Sequence, residues 1–169
     1  MISFLISPFY FLFSARKSLT VLSLVFLFAS CQEKAIYNQY ADLDDGNWEL
    51  NSLIDFEFEI ENASKPVNLF YNIRNDVSYP FYNLYVKYEL TDPNGKILRS
   101  NMHEANLMDP TTGAPIGTGE SLFDNQILLL KNFQFPESGK YKFSIKQYMR
   151  EEKIEGIWAV GLTIKDIEK

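Results

Sequence analysis

One cysteine, Cys31, and one histidine, His103, are all that the 169 residues hold of the two side chains most used in redox, metal and nucleophilic chemistry. A lone cysteine excludes an internal disulfide, so packing must hold the fold. A lone histidine excludes a histidine cluster or a histidine-based triad within the chain. His103 is read as a surface or hairpin residue. Basic residues are few, 16 Lys and Arg against 22 Asp and Glu. That balance disfavours nucleic acid, which rewards clustered Lys and Arg. No sustained helical period runs through the chain, so the crossover helices of a parallel sheet are missing.

What is present starts with Arg16–Cys31, RKSLTVLSLVFLFASC. Two positive charges open it, an apolar run from Leu19 to Ala29 follows, and small residues lead to the cysteine. The run is short for a bilayer span and has the layout of a secretory signal. A signal that ends at cysteine suggests a bacterial lipoprotein signal, in which the thiol of Cys31 takes a diacylglycerol and the chain is cut before it. Ala29 and Ser30 suit the cleavage site; Phe28 stands where an aliphatic residue is usual. An ordinary secretory signal with a free thiol and a membrane-spanning helix are the blander readings. Residues 1–15 form an atypical apolar extension ahead of the charges, interrupted by Pro8.

The expected division is therefore a signal peptide with its extension at 1–30, a lipidated amino terminus and tether at 31–45, and one domain at 46–169. Removing the leader leaves 14 basic against 22 acidic residues, a net charge of −8. Acyl chains rather than charge would then hold the protein at membrane lipid.

Within the domain, apolar and polar residues alternate with period two. Phe56, Phe58 and Ile60 share a face opposite Asp55, Glu57 and Glu59. Further strands are expected at 67–75, 81–91, 125–135, 141–148 and 157–165, with a return at 96–100 after the turn Asp92-Pro93-Asn94-Gly95. Lys131 interrupts its face and hints at a bulge or an edge. Residues 101–121 are interrupted by Pro110, Gly113, Pro115, Gly117 and Gly119, and a short turn or strand is expected near Glu104–Met108. The pattern predicts an all-β fold, an antiparallel β-sandwich of about seven to eight strands, immunoglobulin-like or jelly-roll-like. A half-open barrel is the second choice.

No catalytic set assembles from these residues. Asp42, Asp44 and Asp45 lack the spacing of a calcium loop and read as a solvated turn. Asp55, Glu57 and Glu59 read as a wet strand face rather than paired glycosidic carboxylates. Residues 113–119 have no lysine and no strand-to-helix setting for phosphate. No metal and no cofactor is expected, and the chain is not expected to be an enzyme. Tyr79, Phe81, Tyr82, Tyr85, Tyr148 and Trp158 supply more aromatic surface than one core face needs, so some are candidates for contact with a partner.

Six blocks carry a resemblance: AIYNQY, NLFYNIRNDVSYPFYNLYV, LTDPNGK, a glycine-spaced segment ending GTG, FPESGKYKFSIKQYMR and EGIWAVGLTI. Together they resemble the gliding motility lipoprotein H (GldH) family of the Bacteroidetes over nearly all of the chain after Cys31. The resemblance implies a cell-envelope lipoprotein needed for gliding and linked to type IX secretion of surface adhesins, with envelope proteins as partners. It carries over no catalytic residue. Gln32, where aspartate would favour the inner membrane, points to the outer membrane; a periplasmic-facing domain is the default there, and an outward-facing one, for which Glu33 is a weak acidic signal, is the alternative. The alternative is a surface lipoprotein that binds carbohydrate through Tyr82, Tyr85 and Trp158.

Overall fold

The computed structural model describes residues 35–167. Alternation of apolar and polar residues builds ten strands: β1 (Ala35–Asp42), β2 (Asn47–Glu49), β3 (Ile54–Ile60), β4 (Val67–Asn75), β5 (Asn83–Thr91), β6 (Ile97–Asn106), β7 (Phe123–Phe133), β8 (Gly139–Gln147), β9 (Lys153–Glu155) and β10 (Ile157–Asp166). The expectation of about seven to eight strands omits β1, β2 and β9. β1 lies in the expected tether. It was unreadable because its outward residues, Ile36, Asn38 and Tyr40, mix polar and apolar character on an exposed edge.

All pairing between these strands is antiparallel. Sheet I runs β1-β10-β4-β7, sheet II runs β3-β8-β5-β6, and β2 and β9 form a separate ribbon. Set the ribbon aside and number the eight long strands in chain order. Sheet I is then first-eighth-third-sixth and sheet II second-seventh-fourth-fifth. That order is a jelly roll, in which almost every connection crosses between sheets. An immunoglobulin arrangement places its first two strands in one sheet; here β1 and β3 belong to different sheets.

The inner faces make one core. Sheet II contributes Phe56, Phe58, Tyr141, Phe143, Ile145, Leu84, Val86 and Leu90, and sheet I contributes Leu69, Tyr71, Ile73, Val160, Leu162 and Ile164, all buried. One end of the sandwich is an aromatic plug: Phe135 lies 4.5 Å from Tyr141, 5.0 Å from Phe133 and 5.9 Å from Phe58, ring centre to ring centre. Much of the chain's aromatic surplus is spent there.

One local expectation changes. Residues 101–106 continue β6 rather than forming a separate turn, since their ladder with β5 runs unbroken from Asn83–Asn106 to Leu90–Arg99. Trp48 is fully buried in the β2–β9 ribbon, with its indole N–H donating to the Ser52 carbonyl at 3.2 Å. Lys131 does sit on an edge strand, where the β4–β7 register shifts and Asn132 takes a φ of 54°.

Candidate functional site

The aromatic candidates separate once the strands are laid out. Leu84 and Val86 point into the core, so Tyr85 between them stands on the outer face of sheet II. On β8 the fully buried Gln147 fixes the turn beyond it. Its Oε1 accepts from Met149 N at 2.7 Å and its Nε2 donates to the Glu151 carbonyl at 3.0 Å. This clamp turns Tyr148 outward. The backbone N–H of Tyr148 donates to Tyr85 O at 2.7 Å, and that of Tyr85 donates to the Met149 sulfur at 3.3 Å. Phe81, Tyr85, Tyr148 and Met149 thereby line one open groove of about 850 Å³, together with Met102 of β6 and Leu50, Arg150 and Glu151 from the ends. Tyr148 is 52% exposed and Met102 56%.

The groove has a polar rim on its β6 side. Glu104 stands opposite Tyr85 in the ladder and its Oε1 accepts from Asn83 Nδ2 at 2.6 Å. Its hydrogen bond with the Tyr85 hydroxyl, helped by burial and by nearby negative charge, raises the tyrosine above the usual phenol range. Tyr82 is exposed nearby, and the ionised form of its phenol would further disfavour ionisation of Tyr85.

Two candidates lie elsewhere. Tyr79 is buried, edge to face with Phe81 at 5.8 Å, and its hydroxyl donates to the Asn83 carbonyl at 2.7 Å. It holds the loop that delivers Phe81 to the groove. Trp158 does not line the groove; its indole N–H donates to Asp76 Oδ2 at 2.7 Å. Burial alone would raise the Asp76 carboxyl, but bonds from Ser78 and Trp158 outweigh that and hold it below the usual carboxylate range. The sequence reading missed Leu50, Met102, Met149, Arg150 and Glu151. Only the β5–β6 register, which no local pattern reveals, brings Met102 to Tyr85.

His103 lies in the β5–β6 hairpin, as one of the two expectations had it, but is half-buried there and faces the core rather than the surface. Its Nδ1 lies 2.9 Å from the Tyr71 hydroxyl. Asp55, Glu57 and Glu59 lie across from Ser144, Lys142 and Lys140 of β8, with Lys142 Nζ 3.7 Å from Asp55. The carboxylate stripe is thus half of a cross-strand charge ladder. Asp44–Gly46 is a 3-10 turn. Among the described residues no group of three or more His, Cys, Asp or Glu is placed to hold a metal ion. Cys31, the expected lipid attachment point, lies outside the described residues.

The model of the GldH lipoprotein family matches residues 35–164. A gliding motility lipoprotein GldH homolog of Christiangramia forsetii is 33% identical over 161 residues, covering 89% of this chain and 97% of that protein. Gliding motility lipoprotein GldH of Flavobacterium johnsoniae is 29% identical over 158 residues, covering 89% of this chain and 96% of that one. A solved structure of the infectious bursal disease virus VP2 subviral particle is 10% identical over 78% of this chain and 34% of its own, with a TM-score of 0.36. That likeness carries no argument.

Proposed function

Because this chain belongs to the GldH lipoprotein family, we propose that it is a non-catalytic cell-envelope lipoprotein on which gliding motility depends. Cys31 is acylated and anchors the domain in the outer membrane on its periplasmic side. The jelly roll then acts by docking onto another protein of the gliding and secretion machinery, supporting type IX export of surface adhesins. The observation that carries the docking reading is the groove. Tyr85, Tyr148 and Met102, which the core does not use, continue an apolar surface from Phe81 and Met149, whose other sides pack against the core. Apolar patches of this kind, rimmed by polar groups, mark contact sites.

Two measurements test this. A deletion strain complemented with the chain is scored for colony spreading and adhesin export; restoration of both is expected. Cys31→Ser is followed by membrane fractionation and fatty-acid labelling; loss of both label and membrane association is expected. Unchanged fractionation of Cys31→Ser would remove the anchor. Normal spreading in the deletion strain would remove the motility role.

The carbohydrate reading keeps Tyr82 and Tyr85 near each other but not Trp158, which is tied to Asp76. A glycan array separates it from protein docking.

A further inference from the structure

Four strands end the two sheets, and three of them resist further pairing. β3 is short and places Asp55, Glu57 and Glu59 along its outer face. β1 breaks register between Ala35 and Tyr37 and has β3 lying beside it. β7 breaks register twice and carries the positive φ of Asn132. Bulges and charges of this sort are how edges are kept from pairing. β6 differs. It runs for ten residues, shifts register only near Leu90–Thr91, and exposes Ile97 and Met102.

The ladder fixes which β6 groups are free. Tyr85 O accepts from Tyr148 on the β8 side, and Tyr82 O accepts from Leu107 on the β6 side. Along β5 the odd residues therefore bond toward β8 and the even ones toward β6. Ala105, His103, Asn101 and Arg99, which stand opposite Leu84, Val86, Tyr88 and Leu90, carry the β5–β6 bonds. Ser100, Met102 and Glu104 point their N–H and C=O groups away from β5, toward the open edge. The same Met102 also lines the groove.

We propose that an envelope protein partner adds an extended segment along β6, bonding to the backbone of Ser100, Met102 and Glu104 and seating an apolar side chain against Met102, Tyr85 and Tyr148. This rests on the anchored, docking reading above and names its site. Edge addition of this type draws affinity from the backbone and specificity from the pocket beside it.

The start of the domain argues for a separate protein as the occupant. Ala35 pairs with Lys165 at the end of sheet I near Glu59 and Ile60, whereas Tyr85 and Tyr148 are at the other end of sheet II. β1 also lies beside β3, across the sandwich from β6. If the chain is cut before Cys31, only Gln32, Glu33 and Lys34 precede Ala35 from the lipid, a reach of about 14 Å. Those residues cannot fill the groove. A second copy pairing antiparallel along β6 would turn its Ala35 end to the opposite direction along the strands, against two short anchors in one membrane.

The test is a photo-crosslinking residue at Ser100 in the full chain in intact cells, with Glu57 on β3 as control. One discrete adduct with a different protein is expected at position 100 and none at 57. Met102→Pro removes an N–H outside the β5 ladder, and Met102→Lys puts a charge on the edge while keeping the backbone. Both should abolish the adduct and reduce spreading, and Met102→Lys keeps the test valid if the proline variant melts early. An adduct of two copies of this chain, equal capture at 57, or an adduct unchanged in both variants would overturn the proposal. Failure of the anchor shows separately, as unchanged fractionation of Cys31→Ser.

Discussion

The hydroxyl of Tyr71 lies 2.9 Å from Nδ1 of His103, and their rings meet edge to face at 5.6 Å. One belongs to β4 of sheet I and the other to β6 of sheet II, so the contact ties the two layers at the open side of the sandwich. Tyr71 is fully buried, and burial raises it well above the usual phenol range. It keeps its proton and can donate to a neutral imidazole.

Folding stability should therefore fall on mild acidification. Burial lowers His103 below its ordinary value of 6.5, and the charge of Glu104 offsets part of that. The unfolded chain takes up this proton first as pH drops, so it binds more protons than the folded chain in that window. The contribution is fully present above 6.5 and declines as pH falls through the window down to the folded pKa. Urea midpoints measured from about pH 7.5 to about pH 5.5, above the range where carboxylates dominate, should drop for the wild-type chain. His103→Gln should flatten that slope. Parallel curves would reject the linkage.

A chain of polar bonds crosses the outer face of sheet I, each inner member accepting from one neighbour and donating to the next. Lys165 Nζ donates to Gln126 Oε1 at 3.1 Å and Gln126 Nε2 to Asn72 Oδ1 at 3.3 Å. Asn72 Nδ2 donates to Thr163 Oγ1 at 2.7 Å, and Thr163 in turn to Asn38 Oδ1 at 2.9 Å. Thr163→Val keeps the shape but takes the acceptor from the buried Asn72 amide. An unsatisfied buried donor costs about 1–3 kcal/mol, so unfolding stability should fall by that amount. Asn38→Ala, at the exposed end of the chain, should cost clearly less in the same denaturation experiment.

Gly156 and Gly95 separate backbone strain from crowding. Both have positive φ, +78° and +81°. A methyl group on Gly156 would sit 2.4 Å from the backbone N of Tyr79, whereas one on Gly95 meets nothing within 4 Å. Gly95→Ala should cost about 1–2 kcal/mol, the left-handed penalty alone. Gly156→Ala should cost more, because the loop that carries Tyr79 and Phe81 has to move. Equal losses would show that this loop yields freely.

How much of this was legible in the sequence depended on burial asymmetry. β3, β4, β5 and β8 were readable because each has one apolar and one polar face, as in Phe56–Glu57–Phe58–Glu59. β1 and the second half of β6 were not. Edge residues such as Asn38, Asn101 and Glu104 face water on a side where no pattern is enforced. The jelly-roll order was out of reach, since pairing β1 with β10 depends on contacts more than a hundred residues apart. The groove was half legible. Phe81, Tyr85 and Tyr148 stand out as surplus aromatics, but Met102 joins them only through register, and Trp158 is absent from them because it stands on β10 of the other sheet, where Asp76 accepts its N–H.

Phe135 gives the sharpest measure of the aromatic plug. It lies just past the end of β7, outside any strand, yet is only 2% exposed. Turn residues are ordinarily solvated, and what buries this one is the set of rings from Phe58, Phe133 and Tyr141. The Tyr141 hydroxyl closes the turn from inside by donating to the Glu137 carbonyl at 2.6 Å. Phe135→Ala therefore removes a ring that three others contact, in a site whose backbone is pinned and cannot collapse. A loss of about 3–5 kcal/mol is expected, as for a large ring in a sandwich core. Glu57→Ala, on the wet face of β3 opposite Lys142, should cost no more than about 1 kcal/mol, the range of a cross-strand charge pair. Chemical denaturation of the two variants beside the wild-type chain decides it. A Phe135→Ala loss no larger than that of Glu57→Ala would mean that this end of the sandwich is loosely packed and the rings are spectators.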